Sequence, residues 1–271
     1  MTLTENEIAD LTRHNIEVWN RCAASYTSNF EVLTRGAIAT LLDLANVGKG
    51  TSLLDIGTGP GTLIGPAIER GARVSAIDIA PEMVDQAKSR HPGIDITTAD
   101  AASLPHSDAT FDAVTIGFCL HHVADARAVL SEAHRVLRPG GRLSFAVWAP
   151  QEDLQAFGLA FGAVVDIVEL GDVPDLQPPA IATTPADYED LLTEMGFEQP
   201  SARVLELSWE LADGSSMFVG FDGFLDLSDQ SPDLRDAVRR AIDDQISKRV
   251  ETDGLAHLPN PAVVAAASKP R

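Results

Sequence analysis

From Thr51 onward, short apolar runs alternate with amphipathic stretches at a regular pitch. The runs Thr51 to Ile56, Arg73 to Asp78, Ile94 to Ala99 and Phe111 to Phe118 are brief and bounded by turn-forming residues, so they predict strands. Between them, Gly61 to Arg70, Pro81 to about Arg90 and Asp125 to Leu137 space their apolar residues as helices do. Pro81 suits the first helical position, where its missing N–H costs nothing. Arg138-Pro139-Gly140-Gly141 predicts a stop and a turn before a fifth strand, Arg142 to Trp148. Strands separated by helices at this pitch predict an α/β fold whose sheet is mostly parallel and flanked by helices.

The flanks of this segment read differently. Thr4 to about Asn46 predicts two helices, the first opening on a Thr4–Glu7 capping box and carrying a stripe of Ile8, Leu11, Ile16, Val18 and Trp19. After Trp148 the rhythm breaks. Residues 149–184 contain an apolar helix and a proline-rich loop, Pro174 to Pro179. A helix from Pro185 to Met195 stops at Gly196, and a strand from about Ala202 to Leu211 follows. Two helical segments come next, at roughly 213–226 and 231–250, and Pro261 to Ala267 predicts a final strand. The expected organisation is one integrated domain: a helical cap at 1–46, a core at 47–200, and the last strands with inserted helices at 201–271.

At 271 residues the chain is long enough for a substantial core. Forty acidic against 20 basic residues give a net charge of −20, which disfavours nucleic acid and anionic membranes as partners. Cys22 and Cys119, the only cysteines, are too few for a disulfide framework and fit a reducing cytoplasm. The N-terminal stretch has neither a basic nor an apolar leader segment, and the apolar run Ala156 to Leu170 holds Asp166 and is too short to span a bilayer. The expectation is a cytoplasmic protein, monomer or homodimer, acting on a small molecule.

The candidate chemistry begins at Asp55-Ile56-Gly57-Thr58-Gly59-Pro60-Gly61, a strand end running into a glycine-dense loop. Three missing β-carbons allow a ligand to lie against backbone at the carboxyl end of a parallel strand, where open α/β sheets hold nucleotide-like groups. A dinucleotide fingerprint needs a glycine at the position of Thr62, which speaks against NAD(P). Asp78 ends the second strand, where a carboxylate can accept both hydroxyls of a ribose diol.

The pattern D-x-G-x-G-x-G resembles the cofactor loop of class I S-adenosylmethionine (SAM) dependent methyltransferases, above all the bacterial small-molecule subgroup of the type 11 kind. The likeness covers about residues 15–200, including Leu104-Pro105 and Phe111-Asp112-Ala113-Val114. It implies a Rossmann-like, seven-stranded sheet with an antiparallel last strand, and a lid built from the N-terminal helices and helical insertions. It also implies roles. Gly57, Thr58, Gly59 and Gly61 would hold the cofactor's methionine end, with Asp55 orienting the loop and meeting the ammonium. Asp78 would take the ribose, Asp100 and the Ala101 N–H the adenine, and Ile79 and Met83 its apolar walls. Trp19 to Tyr26 resembles the W-x-x-x-A-x-x-Y helix, in which Tyr26 would reach over the cofactor and Trp19 toward the acceptor. Backbone at Phe118 would line the methionine moiety and His121 would face the acceptor; His122, near its ordinary pKa, is a candidate general base, with a structural or cofactor-gating role for the histidine pair as the alternative.

No third ligand accompanies the two histidines at metal-binding spacing, so no metal is expected. Aromatic residues crowd the insertions, and Trp148, Phe157, Phe161, Phe218 and Phe221 are expected to wall an acceptor site. The implied reaction is methyl transfer from SAM to an O, N or C atom of a small, partly hydrophobic or aromatic acceptor, of the kind met in natural-product biosynthesis. The alternative is a SAM-binding cyclase or isomerase that does not methylate.

Overall fold

The computed structural model describes residues 3–165, 167, 181–224, 227 and 230–271, so the Pro174 to Pro179 loop lies outside the described residues. Five parallel strands appear where the apolar runs place them: β1 Ser52–Ile56, β2 Arg73–Asp78, β3 Asp95–Thr98, β4 Phe111–Gly117 and β5 Leu137–Trp148. The helices α4 Ile64–Glu69, α5 Pro81–Arg90 and α6 Ala126–Val136 make the crossovers. Leu53, Leu54 and Ile56 of β1 are fully buried, as both faces of a helix-covered sheet require. With β6 Glu198–Leu205 and β9 Ala262–Ser268 the sheet runs β3-β2-β1-β4-β5-β9-β6. The expected final strand, β9, inserts antiparallel between β5 and β6, and its Val263 to Ala267 run is buried throughout.

Three expectations are corrected. First, Arg138 to Gly141 is no turn outside the sheet. Phe111 pairs with Leu137 and Ala113 with Arg142, so this segment bulges within β5, and the positive φ of Gly140 (78°) permits it. Second, the strand expected from Ala202 to Leu211 divides. β6 stays in the main sheet, whereas β7 Ser208–Leu211 pairs with β8 Ala256–Pro259 in a separate two-stranded sheet that no local pattern announced. Trp209 and Leu211 are the inward residues of β7, a period of two that buries one face. Third, the N-terminal segment breaks more often than expected, into α1 Glu5–Tyr26, α2 Phe30–Thr34, a 3₁₀ turn Arg35–Ala37 and α3 Ile38–Leu44. The Thr4–Glu7 capping box opens α1. The break comes at Asn29 (φ −134°, ψ −85°), whose buried side chain caps the Phe30 N–H.

The remaining helices are α7 Gln155–Val165, α8 Pro185–Glu194, α9 Ser215–Phe224 and α10 Pro232–Ser247. Helix α9 packs through glycines on α1 and on the turn that follows it: a β-carbon at Gly223 would meet Cys22 of α1 at 3.6 Å, and one at Gly220 would meet Asn29, the cap of α2, at 3.0 Å. Helices α1, α7 and α9 thus meet over the carboxyl ends of β1, β2, β4 and β5, the edge where parallel sheets place ligands. No described helix is long and apolar enough to cross a membrane.

Candidate functional site

The three loop glycines all have positive φ, at 67°, 54° and 82° for Gly57, Gly59 and Gly61, a region that side chains rarely tolerate. Their surroundings differ. A β-carbon at Gly57 would fall 2.4 Å from Cys119 Sγ, and one at Gly61 would fall 2.8 Å from the His91 ring. At Gly59 nothing stands within 4 Å. Gly57 and Gly61 therefore let the loop pack against protein, and at Gly59 the space stays open, while Gly57 and Gly59 both border a cleft. Cys119 is itself consumed by this contact, and burial pushes its thiol far above the ordinary value, so it offers no thiolate.

Asp78 holds the loop from β2. Its Oδ2 accepts the Gly59 N–H at 2.8 Å and its Oδ1 the Ala80 N–H at 2.9 Å. Burial raises this carboxyl above its usual range, against the pull of those backbone N–H groups. Asp78 borders the cleft beside Gly59, where a carboxylate can meet the hydroxyls of a diol. Asp100 lies across the cleft, with Oδ1 accepting the Ala102 N–H at 2.8 Å in an Asx turn. Ala101, Ile79 and Met83 line the same cleft. Asp55 does not. It is buried beneath the loop, where Thr115 of β4 donates to its Oδ1 at 2.7 Å, and burial pushes its pKa up to about 6. Thr58 and Gly61 also lie outside the cleft lining, Thr58 tied by its N–H to Ile77 O at 2.9 Å.

Helix α1 roofs this cleft with Thr12, Asn15, Trp19 and Tyr26. Asn15 Nδ2 donates to His122 O at 2.5 Å on one side, and Asn20 Oδ1 accepts the Glu82 N–H at 3.1 Å on the other. Only about 100 Å³ remains free beneath it. The cleft is narrow by itself and continues into a larger cavity through lining residues the two share. The acceptors and walls fit SAM: two carboxylates for a diol and an amine, an open glycine, and Met83 and Ile79 in the lining.

Trp19, Tyr26, Phe118 and His122 border both the cleft and a second cavity of about 1250 Å³. Of the residues expected to wall an acceptor site, Trp148, Phe157, Phe161, Phe221 and His121 line this chamber. Phe118 turns the chain at the end of β4 with φ 53°, a strained conformation for a non-glycine residue, and its ring stacks on Trp148 at 4.1 Å. Phe218 is the exception. It lies in the core away from the chamber, while Phe224, a turn and a half along α9, reaches the lining in its place. Phe30, Leu120, Leu154 and Tyr188 are further wall residues that sequence reasoning missed. Their apolar character signals burial of any kind, so no local cue could have marked them.

The histidines differ from expectation. Burial pushes His122 down to about 4, and burial with the neighbouring His122 holds His121 well below its ordinary value, so both rings are neutral at pH 7. His122 packs edge-on against Trp19 at 4.9 Å, at the junction of cleft and chamber. Both ring nitrogens of His121 are buried without hydrogen-bond partners, and the residue borders the chamber. Tyr26 is likewise held neutral, its hydroxyl pushed up to about 12 by burial. Among the described residues no cluster of three His, Cys, Asp or Glu side chains is placed to hold a metal.

Comparison with known proteins finds likeness over the part of the chain that holds this geometry. Residues 54–145 match the family described as a methyltransferase domain. Demethylmenaquinone methyltransferase of Beutenbergia cavernae is 42% identical over 123 residues, which span 44% of this chain and 51% of that enzyme. The chain thus spans about half the length of the curated relatives it matches. Among solved structures, a Haemonchus contortus phosphoethanolamine N-methyltransferase in complex with phosphomonomethylethanolamine and S-adenosylhomocysteine superposes with a TM-score of 0.54. It is 18% identical and covers 86% of this chain and 52% of that one. The cyclase SpnF superposes with a TM-score of 0.55 at 20% identity, covering 87% of this chain and 81% of its own. These likenesses establish the class I methyltransferase fold around the matched domain.

Proposed function

We propose that this chain, built around its methyltransferase domain, transfers the methyl group of SAM to a largely apolar, aromatic acceptor held in the large chamber. The observation that carries the reading is the junction itself: Trp19, Tyr26, Phe118 and His122 border both the Asp78 cleft and the aromatic chamber. When bound, SAM supplies an electrophilic methyl on a sulfonium sulfur. Asp78 fixes the ribose end and Asp100 with Ala101 the base. Gly59 gives the methionine end close access to backbone.

The protein's contribution is chiefly alignment and dryness. Aromatic walls hold the acceptor in line with the methyl and exclude water, converting a bimolecular encounter into a positioned one. The faces of Tyr26, Trp19 and Phe118 also suit a sulfonium charge. His122, neutral at the junction, accepts the hydrogen bond of an acceptor O–H or N–H and takes its proton as the methyl arrives. Its weak basicity confines that role to a proton that the arriving methyl has already made acidic. Acceptors of phenol or hydroquinone type fit the chamber wall, and the Beutenbergia relative is named for a quinone.

The test is incubation with methyl-labelled SAM and a panel of hydroquinones, phenols and polycyclic hydroxy compounds. Label in a product, with S-adenosylhomocysteine released, is the expected result. Turnover of an acceptor that leaves SAM intact would move the chain to the cyclase class.

A further inference from the structure

Glu31 is a buried carboxylate on α2, with neighbours Phe30 and Thr34 in the chamber wall. Its Oε1 receives Nη2 of Arg35 and Nη2 of Arg90, each at 2.8 Å, and its Oε2 receives Nη1 of Arg90 at 3.1 Å. Burial alone would raise the Glu31 carboxyl. The bonds and charges of Arg90 and Arg35 outweigh it and hold the group below its usual value. Arg90 makes a second contact: the same Nη1 donates to Pro60 O at 3.1 Å. Pro60 sits between Gly59 and Gly61, so this guanidinium grips the loop from outside while Asp78 grips it from inside. His91, the next residue, adds a bond from Nε2 to Gly61 O at 2.9 Å.

We propose that Arg90, anchored by Glu31, is a positioning residue that locks the glycine loop to the wall of the acceptor chamber. The proposal rests on the reading of that loop as the methyl-donor site. A surface ion pair would add little. This carboxylate is out of water, and the fork geometry of Arg90 serves two acceptors at once, which a point charge cannot do. Loss of Arg90 frees the Pro60 carbonyl and lets the loop relax from the positive-φ geometry that the Gly59 opening requires. Loss of Arg35 leaves the loop contact intact, because Arg35 reaches Glu31 alone among these groups.

The test is S-adenosylhomocysteine binding by calorimetry, alongside thermal melting, for the wild type and for Arg90→Gln, Glu31→Gln and Arg35→Gln. Arg90→Gln is expected to weaken binding by about tenfold or more, Glu31→Gln by a lesser factor, and Arg35→Gln by under about twofold. If Arg90→Gln does not fold, Arg90→Lys keeps the charge beside Glu31 with one nitrogen to share, and the same loss is expected from it. A lowered melting point with unchanged affinity would mark the pair as a structural bridge and overturn the proposal. No binding to the wild type would instead overturn the methyl-donor reading, and this inference with it.

Discussion

Asp78 accepts the Gly59 N–H at 2.8 Å, so the acid expected to hold a ribose also holds the loop glycine beside which the space stays open. Its two tasks are inseparable in Asp78→Ala. That variant is expected to weaken S-adenosylhomocysteine binding by about 1.5–3 kcal/mol, the worth of hydrogen bonds to a charged group. Calorimetry on the folded variant decides it, and unchanged affinity would remove Asp78 from the site.

The loop glycines separate stability from binding. Gly57→Ala drives a β-carbon into Cys119 and is expected to cost about 1–3 kcal/mol of stability beyond the backbone strain. Gly59→Ala meets open space and bears only the positive-φ penalty of about 1–2 kcal/mol, yet fills the ligand's place. Melting temperatures should rank Gly57→Ala as the less stable, and ligand affinities should rank Gly59→Ala as the weaker binder.

His122 ties stability to pH. Its pKa is pushed down to about 4 in the native state and returns to about 6.5 on unfolding. The unfolded chain therefore binds more protons between those values, so this group's contribution is complete above pH 6.5 and is lost as pH falls toward 4. Asp55, raised to about 6, acts in the opposite sense as pH rises from its unfolded value of about 3.8. Urea unfolding of wild type against His122→Gln isolates the histidine, and the difference in stability should shrink across that window. In turnover, a fall of less than about tenfold for His122→Ala under saturating acceptor would exclude proton transfer by this residue.

Two phenylalanines on α9 should behave unlike each other. Phe218→Ala removes core packing and is expected to destabilise the fold by about 3–5 kcal/mol while leaving acceptor KM unchanged. Phe221→Ala opens the chamber wall, as does Trp148→Ala, which also loses the stack on Phe118. Both should raise KM for the acceptor and admit bulkier ones. Steady-state kinetics with the acceptor series checks the contrast.

The α/β alternation was legible because strand and helix periods are local properties, and so was the loop, because only glycine suits three positive φ angles in five residues. The bulge at Pro139-Gly140-Gly141 was not. Turn-forming residues read alike whether the chain leaves a sheet or bends within it, and pairing of Phe111 with Leu137 decides which. The threefold spacing of Phe218, Phe221 and Phe224 put all three on a helix, but only packing against α1 and α7 showed which faced the chamber.

What the sequence determined by itself is thus the order of strands and crossovers, the glycine loop, and the acids at the ends of β2 and β3, all set by short-range periodicity and backbone geometry. Only the tertiary structure decided that α1 roofs the cleft, that Asp55 lies beneath the loop, and that burial leaves both histidines neutral. It alone brought Glu31 to Arg90, 59 positions apart, and β7 to β8. Those outcomes depend on which distant surfaces exclude water from each other, and no window of neighbouring residues contains that information.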